Sequence, residues 1–166
     1  MKQIIFVRHG KAEEKGPHIR DRSRKLVEKW EQRTLEYFHA IQDKITRIDA
    51  IVSSAAWRTK MTAEIVALEL GIALEQIQYH SWLWTDNHET ILAMIHSFPA
   101  SWKHVMVVWH NDTLSDAAMS LTDAPLDYMK KSGFIGLSFS VEDRALVNKK
   151  YNTEVWQYNG DEDMSL

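Results

Sequence analysis

HVMVVWHNDTLSDAAMSL, residues 104–121, is the stretch on which the fold turns. Residues 104–109 form an apolar, β-branched run, the mark of a strand buried on both faces. Asp112 to Leu121 reads as a helix, so a buried strand passes into a helix through His110 and Asn111. The same pattern recurs upstream. Residues 3–8 (QIIFVR) are another buried strand, followed by a polar loop from Gly10 to Arg22 that holds Pro17. Ser23 is placed to cap a long helix running to about Asp43. Leu26, Trp30, Tyr37, Phe38, Ile41 and Ile45 form its apolar stripe. Residues 49–53 (DAIVS) lead into a helix from about Trp57 to Leu70, with Met61, Ile65 and Leu68 expected inward and Gly71 as terminator.

Between these pairs and residue 104 lies one more unit. Residues 76–83 alternate in polarity as a strand does, and Asn87 is placed to cap a helix that runs through Phe98 and is closed by Pro99. Residues 133–141 and 153–158 follow as a closing pair of strands. Strand and helix thus alternate four times before two final strands. That order predicts an α/β three-layer sandwich whose central sheet is mostly parallel, with an antiparallel edge. Its 166 residues predict a single domain over 1–160, with 161–166 a frayed acidic tail.

Composition agrees and excludes alternatives. A hydrophobic share of 45% with 26% charged residues is globular rather than disordered. Only 6 Gly and 3 Pro disfavour a turn-rich β-sandwich. With no Cys, disulfide and thiolate chemistry are out and a reducing compartment is permitted. No apolar run approaches membrane-spanning length and no leader is recognisable, so a soluble cytoplasmic protein is expected. The net charge of −3 is unevenly spread. Residues 1–60 carry 14 Lys/Arg against 8 Asp/Glu, whereas residues 61–166 carry 6 against 15. This balance lacks the broad basic face that nucleic acid requires.

Unusual residues fall at the strand ends: Arg8-His9-Gly10 after the first, Ser53-Ser54 after the second with Arg58 a turn later, and His110-Asn111 after the fourth. In open α/β sheets ligands bind beyond the carboxyl ends of the strands. A guanidinium fork binds phosphate bidentately and stays charged at any working pH. A neutral imidazole can attack phosphorus while a second holds an oxygen or a proton. Two Arg and two His around one cavity therefore read as phosphoryl transfer that needs no metal or other cofactor. His80, His88, His96 and His104 recur every eight residues, which does not match the i, i+3 or i+4 spacing of helical metal ligands.

FVRHGKAE (6–13), SSAAWRTKMTAE (53–64) and VVWHNDTLSDAA (107–118) resemble the three signature blocks of the histidine phosphatase superfamily, whose fold is phosphoglycerate mutase-like. The short chain is similar to the small SixA-type phosphohistidine phosphatases, and DRSRKLVEKW (21–30) resembles a further segment of that group, matching Arg24 and Leu26. The resemblance implies that His9 is the nucleophile, that Arg8 and Arg58 clamp the phosphoryl oxygens, and that His110 completes the pocket. Arg24 would add a clamp, and water would hydrolyse the phosphohistidine. Ala55, Thr59 and Asp112 depart from the family's usual Pro, Ala and Pro, and Asp112 adds a negative charge near the phosphate.

Larger relatives carry a glutamate general acid that the small group generally lacks. Here the acid is Asp86, Glu89 or none. The implied partner is a phosphorylated protein, with a small phosphorylated molecule or a catalytically silent phosphate-binding role as alternatives; oligomeric state is not legible. Trp57, one residue before Arg58, is positioned to shape the pocket mouth. Lys11, Lys15, Lys25 and Lys29 would surround it and attract an acidic phosphoprotein.

Overall fold

A computed structural model describes residues 1–45, 47–81 and 87–160. The strands and helices, in chain order, are β1 (Lys2–Arg8), α1 (Glu28–Ile41), β2 (Ala50–Ser54), α2 (Trp57–Glu69), β3 (Ile77–His80), α3 (His88–Ser97), β4 (His104–Trp109), α4 (Thr113–Ser120), β5 (Phe134–Phe139) and β6 (Asn152–Tyr158). The six strands form one sheet in the order β3-β2-β4-β1-β5-β6. Neighbours among the first four are parallel, while β5 runs antiparallel to β1 and β6 antiparallel to β5. This is the mostly parallel sandwich with an antiparallel edge that the sequence predicts. Among the described residues no helix is long and apolar enough to cross a membrane.

Continuous apolar strands make sense here because both sheet faces are covered. Ile4 and Phe6 of β1 point into a core shared with Ile91 and Ile95 of α3 and Leu114 and Ala118 of α4. Ile5 and Val7, one residue out of phase, enter the opposite core with Tyr37, Phe38 and Ile41 of α1 and Ala63, Val66 and Ala67 of α2. The caps at Asn87 and Gly71 behave as read. The Asn87 side chain accepts from the Glu89 amide at 2.8 Å. Gly71 takes φ +66°, with Gly71 N–H donating to Leu68 and Ile72 N–H to Ala67, which closes α2 with paired bonds to its orphan carbonyls.

Three expectations are corrected. The first long helix begins at Glu28, not at Ser23, and Asp21–Ser23 is a separate 3₁₀ turn. The intervening backbone is already engaged: Glu13 N–H donates to Lys25 and Val27 N–H to Lys11, with Ala12 and Leu26 bridged between them. The inner face of α2 also differs. Thr59, Thr62, Ala63, Val66 and Ala67 are buried, whereas Leu68 is 64% exposed. A helix lying close to a sheet buries its small residues. The third strand is shorter than read, Ile77–His80, and residues 82–83 of the longer reading fall outside the described residues, as does the tail 161–166.

Gly136 of β5 pairs with Trp156 of β6, and a Cβ there would meet the indole at 2.0 Å. Gly136→Ala is expected to destabilise the fold by about 1–3 kcal/mol, the usual overpacking cost, measured by urea denaturation.

Candidate active site

Sheet register assembles the site. Arg8 of β1 pairs with Trp109 of β4, so the next residues, His9 and His110, emerge side by side. Their ring centroids lie 5.2 Å apart. On the other flank of β4, Ser53 pairs with Val108, which brings Ser54 to His110; Ser54 Oγ and His110 Nε2 are 2.9 Å apart. Arg58, in the first turn of α2, reaches over this edge and its Nε donates to His9 Nε2 at 3.3 Å.

These bonds set the tautomer of His9. Its Nδ1 is 2.6 Å from the Gly10 carbonyl, which can only accept, so Nδ1 carries the proton. Nε2 then holds the lone pair, consistent with its accepting from Arg58. Burial, followed by the charges of His110, Arg58 and Arg8, holds His9 well below the ordinary imidazole range, against the Gly10 bond that favours protonation. Burial and the neighbouring Arg58 push His110 down to about 3. Both rings are therefore neutral at pH 7.

The arginines are anchored by different partners. Arg8 Nη1 donates to the Met129 carbonyl at 2.7 Å, and burial lowers its pKa while Asp112 opposes that shift. Asp21 ties Arg24 to Arg58: its Oδ1 accepts from Arg24 Nε and Nη2 at 3.0 and 2.7 Å, and its Oδ2 accepts from Arg58 Nη2 at 2.9 Å. Arg58 Nη1 also donates to the Asp21 carbonyl at 2.7 Å. Although burial works against it, the bonds from the two guanidinium groups hold the Asp21 carboxyl below its usual range.

A cavity of about 660 Å³ opens over these groups, lined by Arg8, His9, Arg24, Arg58 and His110 and also by Asp21, Asn111 and Thr113. The five basic residues read from the sequence thus meet in one place. Glu89 is exposed and does not line the cavity, and Asp86 lies outside the described residues. Trp57 lines a neighbouring cleft with Ser54 and Arg22 instead of this cavity, its ring within cation–π reach of Lys25 and Lys60 at 5.5 and 5.3 Å. Of the expected lysines, Lys11 and Lys15 line the cavity and Lys25 and Lys29 do not. Asp21 and Lys131 also line it, and no motif of the sequence marks them. Asp21 carries one signal, a carboxylate three residues before Arg24; Lys131 is signalled only by its place ahead of an antiparallel strand. Among the described residues no group of three His, Asp or Glu side chains is arranged to hold a metal, and His96 serves instead to bond the Val147 carbonyl at 2.8 Å.

The neutral pair has a consequence for stability. In the unfolded chain both imidazoles take up protons below about pH 6.5, while the folded chain resists them. Stability therefore falls as pH drops below about 6.5, by about 1.4 kcal/mol per pH unit for each histidine, until the folded groups titrate, near pH 3 for His110. Urea midpoints between pH 7 and 5 are expected to fall accordingly, and less steeply in His110→Ala.

Solved structures share this architecture. The phosphohistidine phosphatase SixA assigned from Agrobacterium tumefaciens is 26% identical over 83% of this chain and 92% of that one, with a TM-score of 0.74. The protein histidine phosphatase SixA complexed with tungstate matches at 17% identity over 95% of this chain and 96% of that one, TM-score 0.76. A mycobacterial glucosyl-3-phosphoglycerate phosphatase matches at 13% over 96% and 99%, TM-score 0.66. No protein-family model and no curated protein matches the chain. Fold and site define an α/β protein built around a cationic cavity at the carboxyl edge of a parallel sheet. The chain has the phosphoglycerate mutase-like fold of these structures, which bear the names of phosphatases of the histidine phosphatase superfamily.

Proposed function

We propose that this chain, as one domain over residues 1–160, is a metal-independent phosphatase acting through a phosphohistidine on His9. The observation that carries the reading is the neutral His9 ring, its Nδ1–H spent on Gly10 and its Nε2 lone pair beside Arg58. In this reading Nε2 attacks phosphorus, and the bond to the leaving atom breaks with its electrons departing on the leaving group. Arg8, Arg58 and Arg24 neutralise the three equatorial oxygens, where charge stabilisation and positioning supply most of the rate. His110 hydrogen-bonds one oxygen as a neutral donor. Water then attacks the phosphohistidine, the P–N bond breaks, and its electron pair returns to Nε2 while the spare proton passes to solvent.

The substrate we favour is a histidine-phosphorylated protein, because the neighbour at 26% identity bears the name of a phosphohistidine phosphatase. A small phosphorylated metabolite is the second reading, favoured by the cavity of about 660 Å³, within the range that encloses a whole small molecule, ~300–1,000 Å³. The test is phosphate release in EDTA from a histidine-phosphorylated protein, a chromogenic aryl phosphate and a panel of sugar phosphates. The expected result is release from the phosphoprotein at a kcat/KM above that for the sugars. Complete inhibition by EDTA sinks the mechanism. Hydrolysis confined to small phosphates replaces the substrate, and tungstate binding with no turnover anywhere makes the protein a silent phosphate binder.

A further inference from the structure

The cavity carries more positive charge than the phosphoryl site uses. Lys11, Lys15 and Lys131 line it in addition to the arginines, against two carboxylates, Asp21 and Glu14. Asp21 is committed to Arg24 and Arg58.

Lys131 is held there by its loop. The Met129 carbonyl accepts from Arg8 Nη1 at 2.7 Å and from Asn111 Nδ2 at 3.2 Å. Lys130 N–H donates to Asn159 Oδ1 at 2.9 Å, and Gly133 N–H to the Lys130 carbonyl at 2.8 Å. Ser132 adopts φ 57°, in the left-handed region, with its N–H donating to the His9 carbonyl at 3.2 Å and its hydroxyl 2.8 Å from that of Thr34. The residue on each side of Lys131 is thus pinned, one of them to the backbone of His9 itself. Lys11 is fixed in turn by its carbonyl, which accepts from Val27 N–H at 3.0 Å.

These cations crowd one another. Burial and the charges of Arg8 and Lys11 lower the Lys131 pKa, with Glu14 opposing. Ammonium groups held close together without a committed carboxylate are relieved by an anion.

We propose that the cavity selects substrates bearing a second anionic group, carboxylate or phosphate, beside the transferred phosphoryl group, and that Lys131 with Lys11 receives it. This rests on the phosphatase reading, which seats the first anion on Arg8 and Arg58. The second anion can come from a small molecule carrying two anionic groups or from an acidic side chain next to a phosphorylated residue in a protein.

Calorimetry at fixed ionic strength tests the subsite without turnover, using methylenebisphosphonate and inorganic phosphate as probes. In the wild-type protein the bisphosphonate is expected to bind at least about tenfold tighter than phosphate, in line with an added charge-assisted contact. Lys131→Met and Lys11→Met, checked for unchanged thermal midpoints, are each expected to cut that ratio about fivefold or more. Lys149→Met is the control: this lysine lies outside the cavity, paired with Asp123 at 2.9 Å. An equal ratio in wild type and Lys131→Met, or an equal fall in Lys149→Met, overturns the proposal.

Turnover then identifies the source. Phenyl phosphate is compared with a carboxyphenyl phosphate, and a phosphohistidine peptide flanked by Glu with one flanked by Ala. A Lys131-dependent preference in the first pair assigns a small molecule, and in the second pair a protein. A bisphosphonate preference that stands while no phosphate ester or phosphoramidate is hydrolysed upholds the subsite and refutes the phosphatase reading instead.

Discussion

Replacing His9 by alanine is expected to lower turnover of a chromogenic aryl phosphate at least about a thousandfold, the scale of removing a covalent nucleophile. An aryl phosphate is the right probe because its phenolate departs without a proton. Any shortfall of a general acid then leaves the measurement untouched. Acid-quenched wild-type protein is expected to carry an acid-labile, base-stable phosphoryl group that His9→Ala lacks. His9→Asn tests the alternative that His9 only binds. An amide can keep a hydrogen bond to Gly10 but cannot attack phosphorus at a useful rate, so it should be as inactive as alanine. Residual activity within about tenfold of wild type in either variant would exclude a covalent role for His9.

Arg58 carries the second large effect, because it does two things at once. Its Nε–H donates to the lone-pair nitrogen of His9, and its Nη1 and Nη2 each donate to Asp21 at the cavity wall. Arg58→Ala removes the proposed clamp and the contact to His9 together. A loss of about 10²–10³ in kcat/KM is expected, the range for removing one preorganised donor. Arg58→Lys should recover little, since an ammonium cannot reach His9 and Asp21 with a planar fork. Lowered kcat together with raised KM is the signature of the double role; a change in KM alone would leave Arg58 as a simple anchor. Inorganic tungstate affinity, read by calorimetry, should fall in the same variants.

How much of this could be read from the chain alone depends on what kind of force placed each residue. Buried strands announce themselves because both faces of a covered parallel sheet demand apolar residues, so Ile4–Val7 and Val105–Trp109 are legible at once. The strand-end rule then carries His9, Arg58 and His110 to one edge, where they are found. Reading fails where small side chains or loop geometry decide. Met61, Ile65 and Leu68 look like the inner face of α2 by size, yet close approach to the sheet selects Ala63, Val66 and Ala67. Asp21 has no periodic context, only a loop position that two guanidinium groups fill from elsewhere in the chain. Lys131 needs topology: β5 runs antiparallel to β1, so its start lies at the edge where β1 ends, with Val7 opposite Phe134.

The position of β4 between β1 and β2 has a consequence for the nascent chain. His9 and Arg58 both leave the ribosome long before residues 104–109, yet β1 and β2 are not neighbours. The strand that separates and aligns them is made last of the three. A half-made chain can therefore hold His9 and Arg58 without holding them together. The cluster of His9, Arg58 and His110 is assembled in one step, when β4 inserts and brings His110 with it, and any fragment that ends before Trp109 is expected to be inactive in the aryl phosphate assay.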